Sequence, residues 1–142
     1  MNIGFLGTGN MGGAIINGYA SQAGKNGDNL LAYDLNADKL SELAEKTGLT
    51  PCRDQEELVT KSDVVVLGLK PNLFTTVLPE IAPFVKGGKI VVTMAAGISM
   101  GFIESHLGPD TPIIRIMPNT PAMVNQGMTS VSRNAKVDDE TF

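Results

Sequence analysis

A glycine motif and an acid in the first quarter of the chain have the type and spacing to hold a ligand. Gly7-Thr8-Gly9-Asn10-Met11-Gly12 is a G-x-G-x-x-G that follows an apolar run and leads into a helical pattern. In such a loop Gly7 permits the tight turn, Gly9 lets the backbone approach a pyrophosphate, and Gly12 lets the helix pack closely on the strand. The helix start adds free N–H groups and a positive dipole end for the phosphates. A glycine turn that binds nothing is the alternative, and the position of the motif between strand and helix argues against it. Asp34 lies 22 residues past Gly12, where dinucleotide-binding folds place an acid on the adenosine ribose. Its carboxylate would accept ribose hydroxyls and repel a 2′-phosphate, so NADH is expected over NADPH. An Asx turn into the next helix is the competing role. No Arg follows Asp34 closely; Lys39 comes a helical turn later and Arg53 in the next unit.

Three further loops follow apolar runs. In Leu69-Lys70-Pro71, Pro71 lacks an N–H and favours an extended entry, turning neighbouring carbonyls toward a cofactor. Lys70 is open to two readings, a proton donor or a backbone-contact and salt-bridge residue. Ala95-Ala96-Gly97 is small enough for a nicotinamide ring or ribose to lie against, and equally suits tight helix packing. Met117-Pro118-Asn119-Thr120-Pro121 brackets an amide and a hydroxyl with prolines, a stiff loop able to orient a small polar substrate or to serve only as a turn. Cys52 reads as a small buried hydrophobe rather than a nucleophile, and His106 as a helix-end residue.

These loops need a scaffold that delivers them to one edge. Strand-like runs span 2–7, 29–34, 49–52 (weak), 63–69, 89–94, 113–117 and 128–133, several of them nearly continuous hydrophobics, as in strands covered on both faces. Helical spacing lies between them: Ile15, Ile16 and Tyr19 in 11–22; Leu40, Leu43 and Ala44 between a capping Asn36 and Gly48; a short helix from Asp54 to Lys61; and Met100 to Leu107 after Ser99. Phe74, Val77, Leu78 and Ile81 form another helical stripe, with Pro79 expected to kink or restart it. The alternation predicts an α/β fold, a Rossmann-type doubly wound, mostly parallel sheet in one domain over 1–142. The acidic residues of 137–142 have the makeup of a helix's first turn, so the domain is expected to be truncated at its C-terminal end.

Composition narrows the function classes. The 142 residues carry 42% apolar types and a net charge of −4, with no basic run, which argues against a nucleic-acid partner. One Cys and one His exclude a disulfide framework and the usual zinc ligand sets, so no metal is expected. No stretch reaches the ~18–20 apolar residues of a membrane span, and no basic leader precedes the first strand. A cytoplasmic protein with no membrane partner is expected.

The combination of 3–12, Lys70-Pro71, Ala95-Ala96-Gly97-Ile98 and Arg115-Ile116-Met117-Pro118-Asn119-Thr120-Pro121, continuing through Gly127-Met128-Thr129-Ser130, closely resembles pyrroline-5-carboxylate reductase. The resemblance covers essentially the whole chain. It implies reduction of 1-pyrroline-5-carboxylate, a cyclic imine carboxylate, to proline by hydride from NAD(P)H. It implies cofactor contacts at Gly7, Thr8, Gly9, Asn10, Met11 and Gly12 for the pyrophosphate and at Leu69, Lys70, Pro71, Ala96 and Gly97 for the nicotinamide half, with Asn119 between cofactor and substrate. It also implies a helical C-terminal domain, absent from these residues, that carries the catalytic groups, supplies the substrate-carboxylate contacts and a hydroxyl near the imine nitrogen, and makes the full-length protein a homo-oligomer through dimerisation. Asp34 departs from the small hydroxylic or basic neighbourhood of NADPH-preferring members. A β-hydroxyacid dehydrogenase relative and a non-catalytic, nucleotide-binding regulatory paralogue remain as alternatives.

Overall fold

The computed structural model describes residues 1–8, 13, 15–20, 28–95, 97–118 and 129–139. Seven strands form one sheet: β1 (Asn2–Leu6), β2 (Asn29–Tyr33), β3 (Thr50–Pro51), β4 (Val64–Leu67), β5 (Ile90–Thr93), β6 (Ile113–Pro118) and β7 (Thr129–Arg133). Their order is β3-β2-β1-β4-β5-β6-β7, with every pairing parallel except β6–β7. Helical residues 15–20 (α1), α2 (Ala37–Thr47), α3 (Gln55–Lys61), α4 (Phe74–Ile81) and α5 (Met100–Leu107) supply the covering layers.

The alternation of strand side chains produces two cores. Phe5, Leu30, Ala32 and Val66 face one way and pack with Ile16, Leu40 and Leu43 of α1 and α2. Leu6, Leu31, Val65, Leu67, Val91 and Ile113 face the other way, against Leu58 and Val59 of α3, Phe74, Val77, Leu78 and Ile81 of α4, and Ile103 and Leu107 of α5. Burial on both faces is why these strands read as nearly unbroken hydrophobic runs. Gly4 makes the closest helix contact possible: a Cβ there would stand 2.0 Å from Ser62 Oγ.

Most helix ends follow local sequence signals. Asn36 accepts the Lys39 amide at 3.1 Å and Gly48, at φ +78°, closes α2 with its N–H on the Ala44 carbonyl. Asp54 accepts the Glu57 amide at 2.8 Å, while Glu57 reaches back to the Arg53 amide at 3.1 Å. Ser99 accepts the Phe102 amide at 3.1 Å to start α5. Several strands stop a residue or two inside their apolar runs; Gly7, at φ +94°, turns the chain after Leu6, and the Asp34 carboxylate bends it after Tyr33 by accepting the Asn36 amide at 2.9 Å.

Of the two effects expected of Pro79, a kink or a restart, the restart does not occur: α4 runs through it to Ile81 before a 3-10 turn at Ala82–Phe84. The carbonyl that loses its donor belongs to Thr75, an exposed residue, so water can replace the missing N–H.

Candidate functional site

The sheet reverses its winding between β1 and β4, and at their carboxyl ends the two chains meet through glycine. A Cβ on Gly7 would lie 2.7 Å from the Gly68 carbonyl oxygen, and one on Gly68 would lie 2.6 Å from that of Gly7. Both turns are tied into the ladder: Gly7 donates to the Tyr33 carbonyl and Gly68 to that of Leu6, each at 2.9 Å. Open α/β sheets bind ligands at such a crevice.

A cleft of about 550 Å³ opens here, within the range of ligand sites. Leu35, Leu69, Leu73 and Val77 give it apolar walls; Asp34, Asn36, Lys39, Gln55, Lys70, Thr76 and Glu80 supply polar groups. Leu35, 81% exposed, stands at the mouth of the cleft. A second cavity, of about 330 Å³, is formed by the loops before β5 and β6 at the opposite end of the sheet, away from every candidate residue.

Asp34 joins the first and second strands. Its Oδ2 accepts the Thr8 amide at 2.7 Å and the Thr8 hydroxyl at 2.6 Å, and its Oδ1 accepts the Asn36 amide. Burial, the largest single influence, raises the pKa of this half-buried acid. The Thr8 hydroxyl, the Asn36 and Thr8 amides and the Lys39 charge together outweigh it and hold Asp34 below the ordinary aspartate value. The carboxylate is therefore charged at neutral pH. Its Asx-turn role and its place on the cleft wall coexist.

Of the residues singled out by sequence, Gly7, Asp34, Leu69 and Lys70 line the cleft. Thr8 is fully buried behind Asp34. Pro71 opens a 3-10 turn, Pro71–Leu73, next to it. Gly97 adopts φ +78°, with nothing within 4 Å of where a Cβ would stand. Gly9, Asn10, Met11, Gly12, Ala96 and Asn119 lie outside the described residues. Arg53 is engaged with Glu57 at 3.0 Å, whereas Lys39 borders the cleft. Cys52 is buried, with burial raising its thiol pKa, and His106 Nδ1 sits 3.0 Å from the Phe102 carbonyl. Gly68, Leu35, Gln55, Thr76 and Glu80 were not identifiable as site residues from the sequence; a glycine ending the apolar run of β4 was the one available signal, for Gly68.

Strand order, glycine crossing and cleft together define a doubly wound, Rossmann-type domain with its site at the topological switch point. Residues 2–97 match the model of the family described as NADP oxidoreductase coenzyme F420-dependent, and the chain belongs to that family. It is 38% identical over 138 residues to the pyrroline-5-carboxylate reductase of Escherichia coli (strain K12), covering 97% of this chain and 51% of that protein. The Pseudomonas aeruginosa enzyme of the same name is 36% identical, covering 95% and 49% respectively. Among solved structures, a Coxiella burnetii pyrroline-5-carboxylate reductase superposes with a TM-score of 0.91 at 33% identity, covering 98% of this chain and 52% of that one. A Plasmodium falciparum pyrroline carboxylate reductase with NADP bound gives 0.82 at 28%, covering 99% and 51%. The chain spans about half the length of the relatives it matches. No helix among the described residues is long and apolar enough to cross a membrane.

Proposed function

We propose that these residues are the dinucleotide-binding domain of an enzyme that reduces 1-pyrroline-5-carboxylate to proline with NAD(P)H. One observation carries the reading: the glycine-only crossing of Gly7 and Gly68 opens on a nucleotide-sized cleft in a chain similar along 97% of its length to a pyrroline-5-carboxylate reductase. The fit to a dinucleotide is chemical as well as spatial. A charged carboxylate and apolar walls suit a ribose and a base, and the switch point leads toward Gly97 at the carboxyl end of β5.

In this assignment Gly7 and residues 9–12 hold the pyrophosphate, Asp34 faces the adenosine ribose, and Thr8, whose amide and hydroxyl both bond Asp34, holds that carboxylate in place. Leu69, Lys70, Pro71, Ala96 and Gly97 bound the nicotinamide half, and Asn119 stands toward the substrate. The nicotinamide supplies a hydride to the imine carbon when bound; the residues of this chain bind and orient. The groups that protonate the nitrogen and assemble a homo-oligomer are assigned to the part of the relatives' length this chain does not span. The buried, unpaired Cys52 suits a reducing compartment such as the cytoplasm.

Cofactor choice rests on Asp34. Three of its roughly four acceptor positions are taken by Thr8 and Asn36, leaving about one for a ribose hydroxyl. Discrimination then comes mainly from charge. A 2′-phosphate of about −1.5 to −2 meets a carboxylate, with Lys39 as partial compensation. A preference for NADH of about 10-fold follows, equivalent to ~1.4 kcal/mol. The family description and the NADP of the Plasmodium enzyme support the phosphorylated cofactor instead, so the preference stands on this one residue.

Titration calorimetry of the 142-residue chain with NADH and NADPH tests both levels. Saturable binding with NADH about 10-fold tighter is expected. Tighter NADPH binding overturns the role of Asp34, and binding of neither dinucleotide overturns the domain assignment.

A further inference from the structure

The hydrogen bonds between β1 and β2 continue past the ends of both strands. The last paired residues are Leu6 and Tyr33, and Gly7 adds a bond by donating to the Tyr33 carbonyl at 2.9 Å. Thr8 supplies the next rung, onto the side chain of Asp34 instead of its backbone: amide at 2.7 Å and hydroxyl at 2.6 Å converge on Oδ2. The separation of the two oxygens is that of a charge-assisted O–H···O⁻ bond, roughly twice as strong as one between neutral groups. Thr8 is fully buried. Its hydroxyl therefore meets neither solvent nor ligand, and among the described residues its bond goes to Asp34.

Burial raises the pKa of Asp34, and the Thr8 hydroxyl is the largest of the influences that bring it back below the ordinary value. The same hydroxyl fixes where the acid points. A methyl group in its place cannot approach Oδ2 to 2.6 Å; ordinary contact begins at 3.4 Å, so the carboxylate has to retreat by most of an ångström. That retreat also strains the Thr8 amide bond to the same oxygen. Two rotatable bonds then let the acid turn toward Lys39, the exposed cation that borders the same cleft. Paired there, it offers a ribose hydroxyl no acceptor and a 2′-phosphate no unmatched negative charge.

We propose that Thr8 is a positioning residue for cofactor choice: its buried hydroxyl, out of reach of any ligand, aims the Asp34 carboxylate at the adenosine ribose and keeps it from Lys39. The inference rests on the cofactor reading given above and makes the choice a property of a bonded pair on two strands, not of the acid alone. Wild type, Thr8→Val, Thr8→Ser and Thr8→Val combined with Asp34→Ser are compared in the 142-residue chain. Paired calorimetric titrations with NADH and NADPH give the affinity ratio, and urea unfolding reports the fold.

Wild type is expected to prefer NADH by about 10-fold, Thr8→Ser to keep that ratio because it keeps the hydroxyl, and Thr8→Val to bring it to about 3-fold or less. The combined variant is expected to show the ratio of Asp34→Ser alone, since Thr8 acts through that carboxylate. A role confined to the shape of the glycine turn would weaken both dinucleotides alike, so an unchanged ratio in Thr8→Val overturns the proposal. Loss of the preference in Thr8→Ser, or a further shift of the ratio in the combined variant beyond that of Asp34→Ser, overturns it too. If Thr8→Val shows no cooperative urea transition, Thr8→Ala, which removes the hydroxyl without crowding Oδ2, carries the same expectation. Wild type separates the two claims: a preference for NADH that survives in Thr8→Val defeats this inference alone, whereas tighter NADPH binding by wild type defeats the reading of Asp34 and this inference with it.

Discussion

Adding one methyl group to Gly68 should damage the site more specifically than adding one to Gly48, although Gly48 has the less favourable backbone. Gly48 sits at φ +78° with nothing within 4 Å of a new Cβ, so Gly48→Ala meets conformational strain only. That strain is about 1–2 kcal/mol, partly offset by roughly 0.4–1 kcal/mol from a less flexible unfolded chain. Gly68 is not among the positive-φ glycines, yet its Cβ would stand 2.6 Å from the Gly7 carbonyl oxygen. Ordinary contact begins at 3.4 Å, so the two turns must separate by most of an ångström. The Gly68 amide bond to the Leu6 carbonyl, 2.9 Å long, ties them at the same point and resists the movement. Overpacking of this kind typically costs about 1–3 kcal/mol. In urea unfolding Gly48→Ala should therefore lose about 0–1.6 kcal/mol and Gly68→Ala about 1–3 kcal/mol, overlapping ranges. They should part in dinucleotide binding: Gly68→Ala weakens NADH by about 10-fold or more because the displacement falls on the cleft wall, and Gly48→Ala leaves it unchanged. Wild-type stability and NADH affinity in Gly68→Ala would refute the reasoning, since the glycine crossing would then be dispensable.

Asp34→Ser, measured by paired calorimetric titrations, should narrow or invert the NADH to NADPH ratio, chiefly by relieving NADPH; an unchanged ratio would separate Asp34 from cofactor choice. Because the folded pKa of Asp34 lies below its ordinary value of 3.8, the stability it contributes is present above that value and is lost as pH falls through the lower folded pKa. The stability difference between wild type and Asp34→Asn, from urea unfolding, should be constant near neutrality and shrink below about pH 4. Cys52 is 6% exposed with its thiol pKa raised by burial, so an aromatic disulfide reagent should label it slowly in the native chain and at once in urea. Pro79→Ala restores a donor for the Thr75 carbonyl and should raise stability by up to ~1 kcal/mol in thermal or urea unfolding.

Signals confined to a few neighbouring residues were legible from the chain alone. Asn36 and Gly48 bound α2, Asp54 and Lys61 bound α3, and Ser99 starts α5, because a cap is a bond between a side chain and an amide three positions away. The unbroken apolar runs likewise identified a parallel sheet covered on both faces, and the glycine turn with Asp34 marked the edge on which the cleft opens. Whether Pro79 restarts α4 was not legible, because a proline's effect depends on whether the carbonyl it strands can meet water, and exposure is a property of the packed layer.

Tertiary structure alone decided which distant residues share the site. Gly68 acquires its meaning only when β4 pairs with β1 and brings it against Gly7, 61 residues earlier. Asp34 is mostly committed to Thr8 and Asn36, and the Thr8 part of that is set by the β1–β2 register. Leu35 becomes a wall of the cleft through the same sheet order. A helix cap or a turn is governed by the energies of adjacent peptide units, which the order of residues determines directly. The strand neighbours that form the cleft are chosen by burial of two apolar faces at once, a balance over the whole chain that no short segment contains.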